Sequence, residues 1–434
     1  MISVIAIFDI GKTNKKLLLF NEAYEVVYEK SESLPETQDE DGDPCENLEG
    51  LTNWIKSSFP EIQSTKKFKI KALNFSGYGA SFVHLDRSGK PVAPLYNYLK
   101  PFPASLKSKF YSTYGDENEI ARATASPVLG NLNSGMQLYF LKHAKPELFN
   151  KIVVSLHLPQ YLSYLFTGHY FSDITSLGCH TQLWDFERQK YHAWVLEEKL
   201  DRLLPPIAPS GSVVKSIVNG EEIMCGIGLH DSSSALIPYL KNFKEPFILL
   251  STGTWSISLN PFNSDPLTQK ELHQDCLCYL SYEGKPVKAS RLLAGHEHEQ
   301  IVRRLADRFN VNENYFNSVR FAGALVKTPF NNSDNQEFDN CEQAYHTLVH
   351  ALVQKQVDST SLIVNREVSR IFVDGGFSKN DVFMNILAQC FPSLPVYATS
   401  LAQATALGAA LIMEQQQPGK SLYEHFPMRQ YGEL

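Results

Sequence analysis

VIAIFDIGKTNKKLLLF (residues 4–20) and FILLSTGTWSISL (residues 247–259) follow one plan: an apolar strand, a short polar turn containing glycine and Thr, and a second apolar strand. The plan predicts two β-hairpins whose tips, Asp9 to Asn14 and Ser251 to Trp255, offer backbone N–H groups and hydroxyls of the kind that hold anions. A P-loop would pass from strand into helix with the spacing GxxxxGK[ST], and neither turn has that spacing. One such tip near the start of each half of a long chain suggests a single phosphate chain gripped from two sides.

Composition permits that picture. The 434 residues imply two or three domains. Hydrophobic content of 43 % and charged content of 20 % are those of a soluble globular protein. A formal charge of −7, with no basic block, argues against nucleic acid as a partner, because its binders need surplus Lys and Arg to displace counterions. The seven cysteines (45, 179, 225, 276, 278, 341 and 390) are odd in number and scattered. They argue against a disulfide framework and for a reducing compartment, the cytoplasm. Asp9 interrupts the N-terminal apolar run, which therefore reads as a core strand rather than a signal peptide. No uncharged apolar stretch of about 18 residues is present to span a membrane.

Between the hairpins, the acidic stretch Glu36 to Glu49 reads as solvated, with Asp43 and Pro44 as N-cap and first residue of a helix that turns Leu48, Leu51 and Ile55 inward. A strand at KIKALNFSG (69–77), helical patterns over 134–166 and EIMCGIGLHDSSSALIPYL (222–240) make the first half mixed α/β. The polar link KNFKEPF (241–247) puts a boundary at 238–246, giving an N-terminal domain 1–240 and a C-terminal domain 241–434. The second half adds helical patterns from Glu342 to Arg366, the strand RIFVDGG (370–376) and a helix from Asn380 to Cys390.

Asp231, in GLHDSSSAL (228–236), has two compatible readings: a helix N-cap, and a general base that takes the proton of a hydroxyl attacking a γ-phosphate. Asp9, between apolar residues and the turn, either braces the turn or holds Mg²⁺ near the phosphates, and its position favours the metal role. Gly375 and Gly376 either let two backbones approach or let a base or ribose lie on the main chain, and the pattern leaves this open. His273, Cys276, Cys278, His296 and His298 fit no standard zinc spacing, and AGHEHEQ (294–300) reads as helix surface. No GxGxxG follows a strand and no GxSxG elbow occurs, which removes dinucleotide and serine-hydrolase readings.

The ordered motifs DIGKTNKK (9–16), GLHDSSSAL, STGTWSIS (251–258), VDGGFSKNDVFMNILAQ (373–389) and AQATALGAAL (402–411) resemble the FGGY family of carbohydrate kinases, within the actin, hexokinase and Hsp70 superfamily. SFVHLDRSGKPVAPLYNY (81–98), GMQLYFLKHAKPELF (135–149), LPQYLSYLFTG (158–168) and SDITSLGCHTQLWDF (172–186) resemble its rhamnulokinase-like subgroup. The resemblance implies an α/β fold of two actin-like (ribonuclease H-like) ATPase domains with the active site in the cleft between them. It implies ATP and Mg²⁺ as cofactors and a small sugar as the partner, with a homodimer as the candidate assembly. By position, Gly11, Lys12, Thr13, Asn14, Lys15 and Lys16 fall on the first phosphate loop, and Thr252, Gly253 and Thr254 on the second. Asp9 falls on the metal-associated aspartate and Asp231 on the catalytic base. His230 and Ser232 lie on the sugar side with Ser76, Tyr78 and Gly79. Gly375, Gly376 and Asn380 fall on the adenosine segment.

There are departures. SGYGAS (76–81) puts Ser76 and Ser81 where the subgroup has aspartates and Tyr78 where it has tryptophan, and Gln403 replaces a frequent glutamate, a change expected to affect packing rather than chemistry. The expected acceptor is a ketose, rhamnulose or fuculose first, with xylulose, ribulose or fructose behind. The alternative is a non-catalytic sugar sensor that kept the ATPase fold.

Overall fold

Both faces of the first strand are covered, so its residues divide by parity. In β1 (Ile2–Ile10), Val4, Ala6, Phe8 and Ile10 join one core, while Ile7 joins another on the opposite face. Its hairpin partner β2 (Lys15–Phe20) sends Leu17 and Leu19 to the first core and Leu18 and Phe20 to the second, as the two-residue period of a strand requires. In this computed structural model the described residues are 1–79, 81–326, 337–399, 401, 403–413 and 428–432.

The antiparallel meander continues to β3 (Val26–Glu32), and β1 also pairs in parallel with β4 (Phe68–Gly77). The hairpin β5 (Val213–Val218) and β6 (Glu221–Gly226) adds to β4, and short β7 (Leu229–His230) pairs beside it, completing a sheet of order β5-β6-β4-β1-β2-β3. Helix α1 (Leu48–Ser64) covers the outer face with Leu51, Trp54, Ile55, Phe59 and Ile62. Its N-cap is Asn47, whose side chain accepts from Gly50 N at 2.8 Å, so the cap expected at Asp43 is displaced. Pro44 instead begins a short strand, Pro44–Glu46.

After α2 (Asp231–Asn242), the second half repeats the scheme. β8 (Phe247–Thr252) and β9 (Ser256–Asn260) form the second expected hairpin. β10 (Cys276–Leu280) and β11 (Pro286–Leu292) extend it beyond β9, while β12 (Arg370–Gly375) and β13 (Val396–Thr399) run parallel on the other side of β8. With β14 (Met428–Tyr431) at the edge, the order is β10-β11-β9-β8-β12-β13-β14. Helices α3 (Ala294–Phe309), α4 (Cys341–Ser361) and α5 (Asp381–Cys390) pack around Ile301, Tyr345, Val349, Val353 and Leu387.

Between the sheets, α2 crosses α6 (Ala404–Leu411). Ser234 Oγ donates to Thr405 O, and a Cβ on Gly408 would lie 1.9 Å from Ser234 O, so only glycine admits this crossing. Asn74 of β4 donates to Ala409 O at 2.8 Å, and one core spans Ile7, Leu18, Leu236, Leu249, Phe372 and Leu407. The two halves thus share a buried seam. The carboxyl ends of β1, β4, β8 and β12 carry the motif residues.

Candidate active site

Asp9 sits on the seam-facing side of β1, opposite Lys16 of β2 in one direction and Ser76 of β4 in the other. Burial raises its carboxyl, repulsion from Asp231 raises it further, and Lys16 and Ser76 only partly oppose them, leaving a pKa of about 7. Asp231 is the first residue of α2, one place beyond the N-cap position, which His230 fills without a side-chain cap bond. The Asp231 side chain keeps 33 % of its surface exposed and accepts from Ser232 N at 2.6 Å, with His230 Nε2 3.2 Å away. His230 is buried, which lowers its pKa against the pull of Asp231. Gly79 packs on it: a Cβ there would stand 2.9 Å from His230 Nε2. Asp9, Lys16, Ser76, Gly79, His230, Asp231 and Ser232 therefore gather in one place.

Strand parity separates two lysines that look alike in sequence. Lys16 faces Asp9 and donates to Gln403 Oε1 at 3.2 Å, so Gln403 contributes a polar contact to the first loop rather than packing alone. Lys15 lies on the opposite face, 1 % exposed, paired with the buried Glu46 at 2.8 Å and donating to Lys12 O. Its ammonium cannot reach a phosphate at the tip, which corrects its assignment to the cofactor. Lys12 turns sideways to Glu36 at 2.9 Å and over the Tyr98 ring. Thr13 and Asn14 are the exposed residues of the tip, above a turn closed by Gly11 N donating to Asn14 O. The hydroxyl of Tyr78 is spent on Glu46 at 3.2 Å. Ser76 and Ser81 are buried, and the Ser76 hydroxyl beside Asp9 favours the ionised carboxylate.

The acidic stretch is not simply solvated either. Lys100 Nζ stands 2.5, 2.8 and 3.0 Å from Asp39, Asp41 and Asp43. Burial works against ionised Asp39, yet Lys100 and the N–H groups of Asp41 and Asp43 hold its carboxyl below the usual range. This clip ties the segment bearing Glu36 and Glu46 to the strap bearing Tyr98.

In the second half, a cavity of about 670 Å³ is lined by Gly253, Thr254, Gly295, His298, Phe316, Gly376, Phe377 and Asn380. It opens where β8 and β12 end and α3 and α5 begin, and helix N-termini favour anions. Gly375 and Gly376 divide the two readings between them. At Gly375 (φ +88°) a Cβ would lie 1.9 Å from Thr252 O, so this glycine serves backbone approach, whereas Gly376 faces open space in the cavity. Thr252 is buried, its hydroxyl donating to Asp374 O and accepting from Phe377 N, so that hydroxyl welds the hairpin to the β12 turn. Asn380 caps α5 by accepting from Phe383 N, and its amide donates to Tyr345 OH at 2.7 Å. The same hydroxyl is hydrogen-bonded to His298 Nε2, 2.8 Å away. Burial drops His298 to a pKa of about 4, so it is neutral. AGHEHEQ is therefore a cavity wall at Gly295 and His298, not only helix surface. Gly295 is obligatory, because its Cβ would meet Gly253 O at 1.9 Å.

A separate hollow of about 590 Å³, lined by Ser3, Ile5, Phe20, Lys71, Ala72 and Met224, lies at the opposite end of β1 and β4. Ligands of parallel sheets sit at the carboxyl ends of the strands, so it is not the site.

Sequence reasoning missed Glu46, Tyr98, Gly295, His298 and Asp374. Asp374 had a usable signal, since FVDGG repeats the strand–Asp–Gly order of IFDIG. Burial raises it to about 6, against hydrogen bonds from Gly375 N and Tyr239.

Residues 4–237 match the model of the N-terminal domain of the FGGY family of carbohydrate kinases, and residues 244–421 match the C-terminal domain model, carbohydrate kinase FGGY. The chain belongs to the FGGY family. This FGGY kinase is a sugar phosphotransferase that uses ATP. It is 21 % identical to the rhamnulokinase of Oceanobacillus iheyensis over 79 % of this chain and 77 % of that protein. It is 20 % identical to the L-fuculokinase of Haemophilus influenzae over 94 % of each. Its fold is similar to that of a ligand-bound xylulose kinase from Lactobacillus acidophilus, with a TM-score of 0.81 at 16 % identity, covering 99 % of this chain and 93 % of that one. No helix among the described residues is long and apolar enough to cross a membrane.

Proposed function

We propose that this FGGY kinase transfers the γ-phosphate of ATP to a hydroxyl of a small ketose, rhamnulose- or fuculose-like. The observation that carries the mechanism is the partly exposed Asp231 carboxylate, held at the start of α2 beside His230 and close enough to Asp9 to perturb it. In this reading Asp231 takes the proton of the attacking hydroxyl. Residues 1–240 supply the acceptor side and 241–434 the nucleotide cavity. The exposed main chain at Thr13, Asn14 and Thr254 offers donors to the phosphates as charge builds on the γ-phosphoryl oxygens. Closing the cleft excludes water and limits ATP hydrolysis.

Asp9 suits Mg²⁺: it is a hard oxygen donor whose raised pKa marks negative charge in want of a cation. Bound there, Mg²⁺ would neutralise phosphate charge. Similarity to rhamnulokinase and L-fuculokinase supports the choice of ketose, and the likeness of fold to a xylulose kinase keeps xylulose as a second candidate, with ribulose and fructose beside it. The seven free thiols, six of them buried, suit a reducing cytoplasm.

A coupled ADP-release screen of ketoses, aldoses and polyols with the purified protein tests this reading. A ketose as the fastest acceptor is the expected result. ADP release that no acceptor stimulates would refute the reading.

A further inference from the structure

After the short helix Ile174–Leu177, the chain brings Cys179 and His180 beneath Gly79 and His230. The His180 ring lies 6.3 Å from His230 and 6.3 Å from Tyr279 of β10, edge-on to both, and Tyr279 lies 5.4 Å from His230. His180 therefore stands where the two halves meet, next to the histidine that abuts Asp231. Its main chain is pinned by Asn133, whose amide donates to His180 O at 3.0 Å. The residue is 8 % exposed, and both ring nitrogens are closed to solvent without a hydrogen-bond partner among the described residues.

Buried polar atoms in native proteins are nearly always paired, and an imidazole with both nitrogens unmet is an unfavourable choice for packing alone. A leucine would fill similar space at no polar cost. Burial, followed by the charges of His230 and Arg291, keeps the ring well below its ordinary pKa. The neutral ring has one donor and one acceptor, the pair that a hydroxyl needs.

The cations around these residues are already matched. Lys12 pairs with Glu36 at 2.9 Å, Lys16 with Glu29 at 3.2 Å, and Arg291 with Asp275 at 2.5 Å. Asp9 and Asp231 add negative charge. A site at these residues therefore favours an uncharged polyhydroxy acceptor over a sugar acid.

We propose that His180 is an acceptor-binding residue of this kinase, hydrogen-bonding a hydroxyl of a neutral sugar other than the one phosphorylated. The inference rests on the sugar-kinase reading above.

The test measures His180→Leu and His180→Asn against wild type, using the best acceptor from the screen, gluconate as the acidic comparison, and thermal melts. His180→Leu should raise the acceptor KM about ten- to hundredfold, the range for leaving one buried polar partner unmet. It should leave the ATP KM unchanged and the Tm equal or higher. His180→Asn, which keeps a donor and an acceptor, should recover part of the loss. An acceptor KM within twofold of wild type in His180→Leu would overturn the proposal, as would a lowered Tm with the ATP and acceptor KM values rising together. Gluconate outrunning every neutral sugar would overturn the acceptor class. Wild type that phosphorylates nothing would sink the kinase reading, whereas wild-type turnover with an unmoved KM in the variant sinks this inference alone.

Discussion

Replacing Asp231 by Asn separates the chemistry of the site from its electrostatics. The amide has nearly the size of the carboxylate and can keep the neighbourhood of His230 Nε2, 3.2 Å away, so the start of α2 should hold. What goes is the proton acceptor and one negative charge. A positioned general base contributes about 10²- to 10⁴-fold, so kcat should fall by that factor, about 3–5 kcal/mol of barrier. The second effect lies at Asp9, whose pKa of about 7 is set first by burial and then by Asp231. In wild type, Mg·ATP affinity should rise with pH through 7 as Asp9 ionises. With the charge at 231 removed, Asp9 ionises at lower pH, so the variant should bind Mg·ATP more tightly than wild type at pH 6 and about equally at pH 8. Coupled ADP release reads the first effect, and calorimetric titration at the two pH values reads the second. Turnover within tenfold of wild type would remove Asp231 as the base. An unchanged pH dependence of binding would refute the coupling between the two carboxylates.

Other outcomes follow from the same geometry. For Asp9→Asn, the wild-type carboxyl has a folded pKa above its unfolded value of about 4, so its ionised form weakens the fold increasingly from pH 4 to 7. The variant should melt higher than wild type at pH 8 and alike at pH 4, while losing Mg·ATP-dependent turnover; equal melting at pH 8 would contradict the burial argument. Lys100→Met strips the cation from Asp39, Asp41 and Asp43, of which Asp39 has a fully buried side chain. Breaking such a buried pair costs about 3–5 kcal/mol, visible in urea unfolding, and the acceptor KM should rise as the segment bearing Glu36 and Glu46 loosens. Asn380→Ala removes the anchor that fixes Tyr345 and His298, and should raise the ATP KM about tenfold with the acceptor KM unmoved. Equal effects on both substrates would mean that the cavity is not the nucleotide site.

Local chemistry made much of this protein legible in one dimension. The two hairpins follow from strand–glycine–strand patterns, and the small-residue runs around Asp231 and Gly408 mark where helices begin or cross. Even the split between Lys15 and Lys16 was available, because adjacent residues on a strand face opposite ways. Sequence order could not say which long-range partner waits on each face. Glu46 looked like one acid among many in a charged run, yet folding buries it against Lys15 and Tyr78. Thr252 looked like a phosphate ligand until β12 arrived beside it and took its hydroxyl. His298 and His180 became visible only through burial, which strips a histidine of water and makes its remaining bonds, or their absence, informative. Sequence by itself determined the strands, the turns and the ordered set of reactive residues, since these depend on side-chain parity and backbone freedom over a few positions. Tertiary structure alone decided which of those residues face the cleft, because that depends on sheets and helices brought together from hundreds of residues apart.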